Sequence, residues 1–205
     1  MTHGHTMNSK KREIILNAAT ELFLESGYSR VSVDAIIARV GGSKRTIYSY
    51  FGDKDGLFSA IVHNLCDKIV SPLTDLDLRG LPPGQALKQL SETFFDVVLA
   101  PNTLELHRLV VAEAPRFPDA AKAFFASAPS VSYRCLANYF AWAQDEGLIK
   151  PGDSHQRAAL FLDALTGDIQ LRCLLGLVSE PDRARLAAAA DEAVDIFLHG
   201  LMSNR

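Results

Sequence analysis

The stretch Val33–Phe58, VDAIIARVGGSKRTIYSYFGDKDGLF, decides how the rest of the chain is read. Val33, Ile36, Ile37 and Val40 recur at helical spacing, so one face of a short first helix is apolar. Gly41 and Gly42 follow at once and can take the positive φ that a sharp turn between helices needs. Ser43 stands at the N-cap position, with its hydroxyl placed to accept an orphan backbone N–H. The next helix, Lys44–Tyr50, turns Ile47 inward together with Phe51; Lys44, Arg45, Thr46, Tyr48, Ser49 and Tyr50 are left on its other sides. Two helices joined by about four residues that include glycine read as a helix-turn-helix, whose second helix lies in the DNA major groove.

The dimensions agree with that reading. A helix of about seven residues, rising ~1.5 Å per residue, is ~10 Å long and fits a groove ~12 Å wide. Arg45 has the fork geometry for guanine O6 and N7, and Thr46 and Ser49 offer hydroxyl or methyl contacts to bases. Ser43, Lys44, Tyr48, Tyr50 and Lys54 are placed for phosphates, which fix register rather than sequence. The plainer reading of Tyr48 and Tyr50, as half-buried aromatics, stays open. Asp53 caps a further helix expected to run to about Ile69, with Leu57, Phe58, Ile61, Val62, Leu65 and Ile69 on its buried face. Lys54 in its first turn opposes the helix dipole, whereas a phosphate there is favoured.

Working outward, Ile14, Ile15, Ala18, Ala19, Leu22 and Phe23 form one stripe of a helix that Gly27 ends. This helix completes a three-helix head over residues 10–52. Lys10, Lys11 and Arg12 open it, either as a solvated start or as an arm toward DNA. Residues 1–9, with His3 and His5, read as a polar, disordered tail. Pro72 and the run Leu81-Pro82-Pro83-Gly84 mark residues 71–84 as a loop. Everything after it is helical by pattern: a helix over Gln85–Leu99, one opened by Asn102 with Glu105, a short one over Asp119–Ser127, and one from Pro129 to Gly147. One capped by Asp153 runs to about Leu177, and the last starts near Pro181. No convincing period-two strand, internal repeat or low-complexity segment stands out, so the fold class is all-α, with residues 53–205 forming a helical body.

Charge is distributed unevenly. The chain of 205 residues has net charge −3. Residues 1–60 hold eight Lys or Arg against six Asp or Glu, net +2, and the rest carry 13 basic and 18 acidic residues, net −5. A mildly basic head on an acidic body suits a protein that touches DNA with one end. Cys66, Cys135 and Cys173 are odd in number and form no Cys-x-x-Cys pair, which argues against a disulfide framework or a zinc site and fits a reducing cytosol. With neither a signal-peptide pattern nor an apolar run near 18 residues, no membrane span and a cytoplasmic location are expected.

The run SVDAIIARVGGSKRTIYSYFGDKDGLF resembles the DNA-binding signature of the TetR/AcrR family of one-component repressors, and the resemblance extends over Lys11–Ile61. It departs in two places. Gly41-Gly42-Ser43 stands where the family usually has Gly-Val-Ser, and Arg45 stands where glycine is common, which gives this chain a base preference of its own. The resemblance implies that Ser32, the N-cap of the first helix of the motif, also contacts phosphate, that Lys54 grips the DNA backbone, and that its helix joins head to body. The stretch Leu106–Phe125, LHRLVVAEAPRFPDAAKAFF, is similar to the C-terminal domain of AefR-like members.

The family implies that the body makes a homodimer and a pocket. The apolar faces of the last two helices, including Leu160, Phe161, Leu165, Cys173, Leu186, Val194 and Phe197, are then a four-helix dimer contact, although intramolecular core is the alternative for each. Phe94, His107, Val111, Phe117, Phe125, Tyr139, Trp142 and Arg172 are the expected ligand-binding residues, a mostly apolar set with a few polar groups. Gly-x-Ser-x-Gly, His-Glu-x-x-His and Gly-x-Gly-x-x-Gly are absent, so no catalytic residue, metal or cofactor is expected. The sequence thus reads as a homodimeric repressor of a palindromic double-stranded operator, released by a small hydrophobic effector. The alternatives are an activator or ligand-independent regulator, a helical small-molecule carrier with a degenerate head, and, more distantly, an enzyme using His107 with Glu113.

Overall fold

The computed structural model describes the backbone over residues 3–201 and the side chains over residues 10–200. Every regular element among them is helical: α1 His3–Ser26, a 3₁₀ turn Tyr28–Arg30, α2 Val33–Val40, α3 Lys44–Phe51, α4 Lys54–Thr74, α5 Pro83–Val98, α6 Pro101–Glu113, α7 Pro118–Ser127, α8 Pro129–Asp145, α9 Ser154–Thr166, α10 Ile169–Leu174 and α11 Arg183–Leu201. The chain forms two compact units. One contains the described residues up to Asp67 together with Glu105–Phe125; the other contains Lys68–Leu104 and the residues from Ala126 on. A boundary near residues 52/53 was expected from sequence. The compact units divide instead within α4, and the segment 105–125 belongs with the head.

In the first unit α1 packs on α2, and α2 on α3. Its core is Ile15, Leu16, Ala19, Phe23, Ile36, Ile47, Leu57, Phe58 and Ile61, each at most 2% exposed. Two expectations about α1 change. The helix begins at His3 rather than Lys10; no proline interrupts residues 3–9, and an established helix gains a hydrogen bond with each added residue. Ile14, expected on the buried stripe, is 50% exposed, because Ile15 and Ala19 with Leu16 and Phe23 already fill the inward face. Gly27 ends α1 as expected, at φ 77° with its N–H on the Phe23 carbonyl.

In the second unit α8 packs on α9, and α11 packs on α5 and α9. Leu87, Leu90, Phe140, Ala158, Phe161 and Leu162 fill its centre. The proline expected to break the chain does not: α4 continues through Pro72 to Thr74. The bond lost is the one Pro72 N cannot donate to the Lys68 carbonyl. The Ser71 hydroxyl donates to that carbonyl instead, at 3.2 Å. Conversely, the helix expected from Asp153 to about Leu177 divides at Gly167, φ 45°, into α9 and α10. Asn102, expected as an N-cap, lies one residue inside α6 and accepts the Thr103 N–H through its side chain at 3.0 Å.

Candidate nucleic-acid interface

α3 is short and amphipathic, and its two faces are cleanly divided. Ile47 and Phe51 are buried, whereas Lys44, Arg45, Tyr48 and Ser49 are exposed and Thr46 and Tyr50 half-buried. Its start is fixed by Ser43, whose hydroxyl accepts the Thr46 N–H at 3.3 Å and lies 3.1 Å from the Thr46 hydroxyl. Its end is fixed by Gly52, φ 81°, donating to the Tyr48 carbonyl. The turn before it places Gly41 and Gly42 at φ 72° and 102°, a region costly for residues with a Cβ, so the second glycine of this turn is a backbone requirement here.

The exposed polar groups have different degrees of freedom. Arg45 makes no ion pair or side-chain hydrogen bond among the described residues, so its guanidinium is available to a partner. Lys44 pairs with Asp34 at 2.9 Å, which ties the first turn of α3 to the first turn of α2. Ser32 caps α2 by accepting the Ala35 N–H at 3.1 Å, and a hydroxyl that accepts keeps its own proton to donate to a phosphate oxygen. Ser49 donates to the Thr46 carbonyl at 2.8 Å, which leaves its oxygen as an acceptor. Tyr48 is 42% exposed; the Tyr50 ring lies 6.0 Å from that of Phe51.

Lys54 is placed differently from the expected phosphate contact. Asp53 caps α4 through the Gly56 N–H at 2.7 Å, as anticipated, but the Lys54 side chain turns inward. Its ammonium donates to the Tyr28 carbonyl at 2.7 Å and stands 4.0 Å from the centre of the Tyr28 ring. Burial, and then the nearby Arg116, lower its pKa. Tyr28 is 2% exposed and donates its hydroxyl to Asp55; burial first, and that carboxylate second, push its phenol well above the usual range. Around it lie Phe23, Phe58 and Phe117, with ring centres 5.4, 5.0 and 4.4 Å from that of Tyr28. The signal that could have revealed this cluster is aromatic spacing, but its members are 94 residues apart at the extreme, from Phe23 to Phe117.

The expected ligand residues divide between the two units. In the first, Phe117 belongs to the Tyr28 cluster rather than to a pocket lining, while Val111 and Phe125 are 61% and 55% exposed. His107 is half-buried, its ring centre 5.5 Å from that of Phe124, its pKa lowered by burial. In the second unit Phe94 and Tyr139 are core residues, and the Tyr139 hydroxyl donates to the Leu81 carbonyl at 2.9 Å. The Trp142 ring packs 5.6 Å from that of Tyr139. Arg172 is exposed and pairs with Asp168 one turn earlier, a surface arrangement that needs no buried partner. A cavity of about 200 Å³ in this unit is lined by Leu73, Leu78, Cys135, Asn138 and Tyr139 among others; Tyr139 alone of the expected residues reaches it. Of the expected dimer face, Phe161, Leu165, Cys173, Leu186 and Val194 are intramolecular core, whereas Leu160 is 57% exposed. Leu171, Leu175, Leu177 and Ile196 are also exposed, and nothing in their periodicity set them apart from core.

A helix-turn-helix with one buried and one polar face, followed by a remainder that is all helix among the described residues, defines a DNA-binding regulator of the helical class. Comparison with known proteins gives the family. Residues 15–61 match the tetR family of bacterial regulatory proteins, and residues 85–200 match the C-terminal domain of AefR-like transcriptional repressors. The chain belongs to the TetR family and is a transcriptional regulator, not an enzyme. It is 30% identical over 170 residues to the HTH-type transcriptional repressor Rv3405c of Mycobacterium tuberculosis, covering 75% of this chain and 79% of that one. It is 32% identical over 89 residues to the HTH-type transcriptional activator FasR of Mycolicibacterium smegmatis, a match that spans 43% of this chain and only 41% of FasR. Among solved structures, the flavonoid-responsive regulator FrrA superposes with a TM-score of 0.84 at 27% identity, covering 96% of this chain and 100% of FrrA. No helix among the described residues is long and apolar enough to cross a membrane.

Proposed function

We propose that this regulator is a homodimeric repressor that binds a palindromic operator through α3 and leaves it when a small apolar molecule binds. The observation that carries the reading is the exposed polar face of α3, with Arg45 unpaired in its first turn and Ile47 and Phe51 anchoring the opposite face. In this account Arg45, Thr46 and Ser49 read base edges, while Ser32, Ser43, Lys44, Tyr48 and Tyr50 hold phosphates. Lys54 acts from within, fixing the start of α4 against Tyr28.

Dimerisation is supported by the exposed leucines and isoleucine of α9–α11 and the segment after α10, and by the need for two recognition helices to read a palindrome. Effector release is supported by the likeness to FrrA, a flavonoid-responsive regulator, and the repressor sign by the likeness to the repressor Rv3405c. His107, with Phe124 beside it, is the residue proposed to meet the effector. The mechanism is a change in the separation of the two recognition helices, carried by α4, which contributes residues to both compact units. A ligand moves this equilibrium only by its differential affinity for the two states. Operator affinity, read by fluorescence anisotropy, should therefore fall as effector is added; a compound that saturates the protein and leaves affinity unchanged refutes the mechanism for that compound. The likeness to the activator FasR favours activation as the second reading, and transcription in vitro with and without protein decides the sign.

A further inference from the structure

The cations around α3 are not equally committed. Lys44 is paired with Asp34, Arg39 with Glu21 at 2.7 Å, and Lys54 is turned onto Tyr28. The Arg12 guanidinium lies 5.1 Å from the centre of the Phe51 ring, at the C-terminal end of α3. Lys10 and Lys11 remain exposed and make no ion pair or side-chain hydrogen bond among the described residues.

The Lys11 ammonium lies beside the glycine turn, 4.0 Å from where a Cβ would stand on Gly42, the residue before the N-cap of α3. Lys10, Lys11, Ile14 and Ile15 face Val40 and Gly41 across a groove of about 320 Å³ beside the same turn. Two adjacent residues of α1 thus reach both ends of α3: Arg12 covers Phe51, and Lys11 lies over the glycine turn that precedes Ser43.

We propose that Lys11, laid over Gly42, is a DNA-backbone contact of this protein and takes the phosphate that flanks the N-terminal end of α3. The cation that holds the backbone then comes from α1 rather than from α4, where Lys54 is occupied by Tyr28. This assignment rests on the reading of α3 as the recognition helix, and its partner is a phosphodiester rather than a base, so it contributes equally on all sequences.

The test is the salt dependence of full-length protein binding to a random-sequence DNA duplex, which needs no operator. Lys11→Ala should flatten the slope of log K against log salt by about 0.9 per recognition head, which at about 0.15 M salt is about a fivefold loss of affinity per head. Lys11→Arg should restore the slope. Lys88→Ala, which removes the same charge from an exposed lysine paired with Asp191 in the other unit, should leave it unchanged. A Lys11→Ala slope equal to that of the wild type overturns the assignment while leaving α3 untouched, and an equal loss in Lys88→Ala overturns it in favour of bulk charge. Wild-type protein that shows no salt-dependent binding to any duplex removes the recognition-helix reading and this assignment with it.

Discussion

Phe117 and Phe125 were indistinguishable as pocket candidates in the sequence, and replacing each with alanine separates structure from ligand binding. Phe117 packs its ring 4.4 Å from Tyr28 and 5.9 Å from Phe58, under the Arg116 guanidinium at 5.1 Å. Truncating a buried Phe costs about 3–5 kcal/mol. Phe117 is only half-buried, which lowers the transfer part, but two aromatic pairs worth ~0.5–1.5 kcal/mol each are lost with it. The expected cost is therefore about 3 kcal/mol, or about 6–12 °C in thermal midpoint at ~2–4 °C per kcal/mol for a chain of this size. Phe125 is 55% exposed, and its alanine variant should move the midpoint by less than about 2 °C, as surface changes stay within ~0.5 kcal/mol. The assay is thermal unfolding followed by circular dichroism, with both variants at one protein concentration so that dimerisation does not enter the comparison. Equal, small shifts for both variants would refute the view that the Tyr28 cluster is a structural core of the first unit.

Further outcomes follow from the same contacts. Lys54→Ala should leave the salt slope of DNA binding unchanged, because the ammonium faces Tyr28, and should lower the thermal midpoint instead; a flatter slope at unchanged midpoint would return Lys54 to the phosphate backbone. Gly56→Ala should destabilise by about 1–3 kcal/mol in urea unfolding, since a Cβ there collides with the Phe51 carbonyl at the junction of α3 and α4; a neutral variant would contradict that close approach. Alkaline titration should show two reluctant phenols. Burial pushes Tyr139 up to about 12, and Tyr28 lies higher still. Both folded values are raised, so the stability they contribute is complete below pH ~10 and is lost as pH rises through the folded values. Phenolate absorbance from these two tyrosines should accordingly appear only with unfolding, and Tyr139→Phe should remove part of the alkaline loss.

The head was legible because its signals are local. Ser32 and Ser43 cap, Gly41 and Gly42 turn, and Ile47 with Phe51 sets the inward face, all within twenty residues. The existence of helices in the body was legible for the same reason. What escaped depended on distant partners or on a side chain repairing a broken rule. Lys54 reads as a free cation until Tyr28, 26 residues earlier, is folded against it. Pro72 reads as a stop unless the Ser71 hydroxyl is known to take the Lys68 carbonyl. Phe117 and Arg172 read as pocket residues because periodicity cannot tell an aromatic core cluster, or an exposed Arg172–Asp168 pair, from a ligand site. Gly56 gave no sequence signal at all, since its role appears only when the Phe51 carbonyl closes on it.

The most direct measurement is anisotropy of wild-type and Arg45→Ala protein on two labelled duplexes, an operator selected from a random pool and an unselected control, at one stated salt concentration. The account predicts strong preference of the wild type for the operator, and a loss in Arg45→Ala of about 1–3 kcal/mol, about five- to 150-fold, confined to the operator. Wild-type binding without preference, or an equal loss on both duplexes, would contradict the assignment of α3 as the helix that reads sequence.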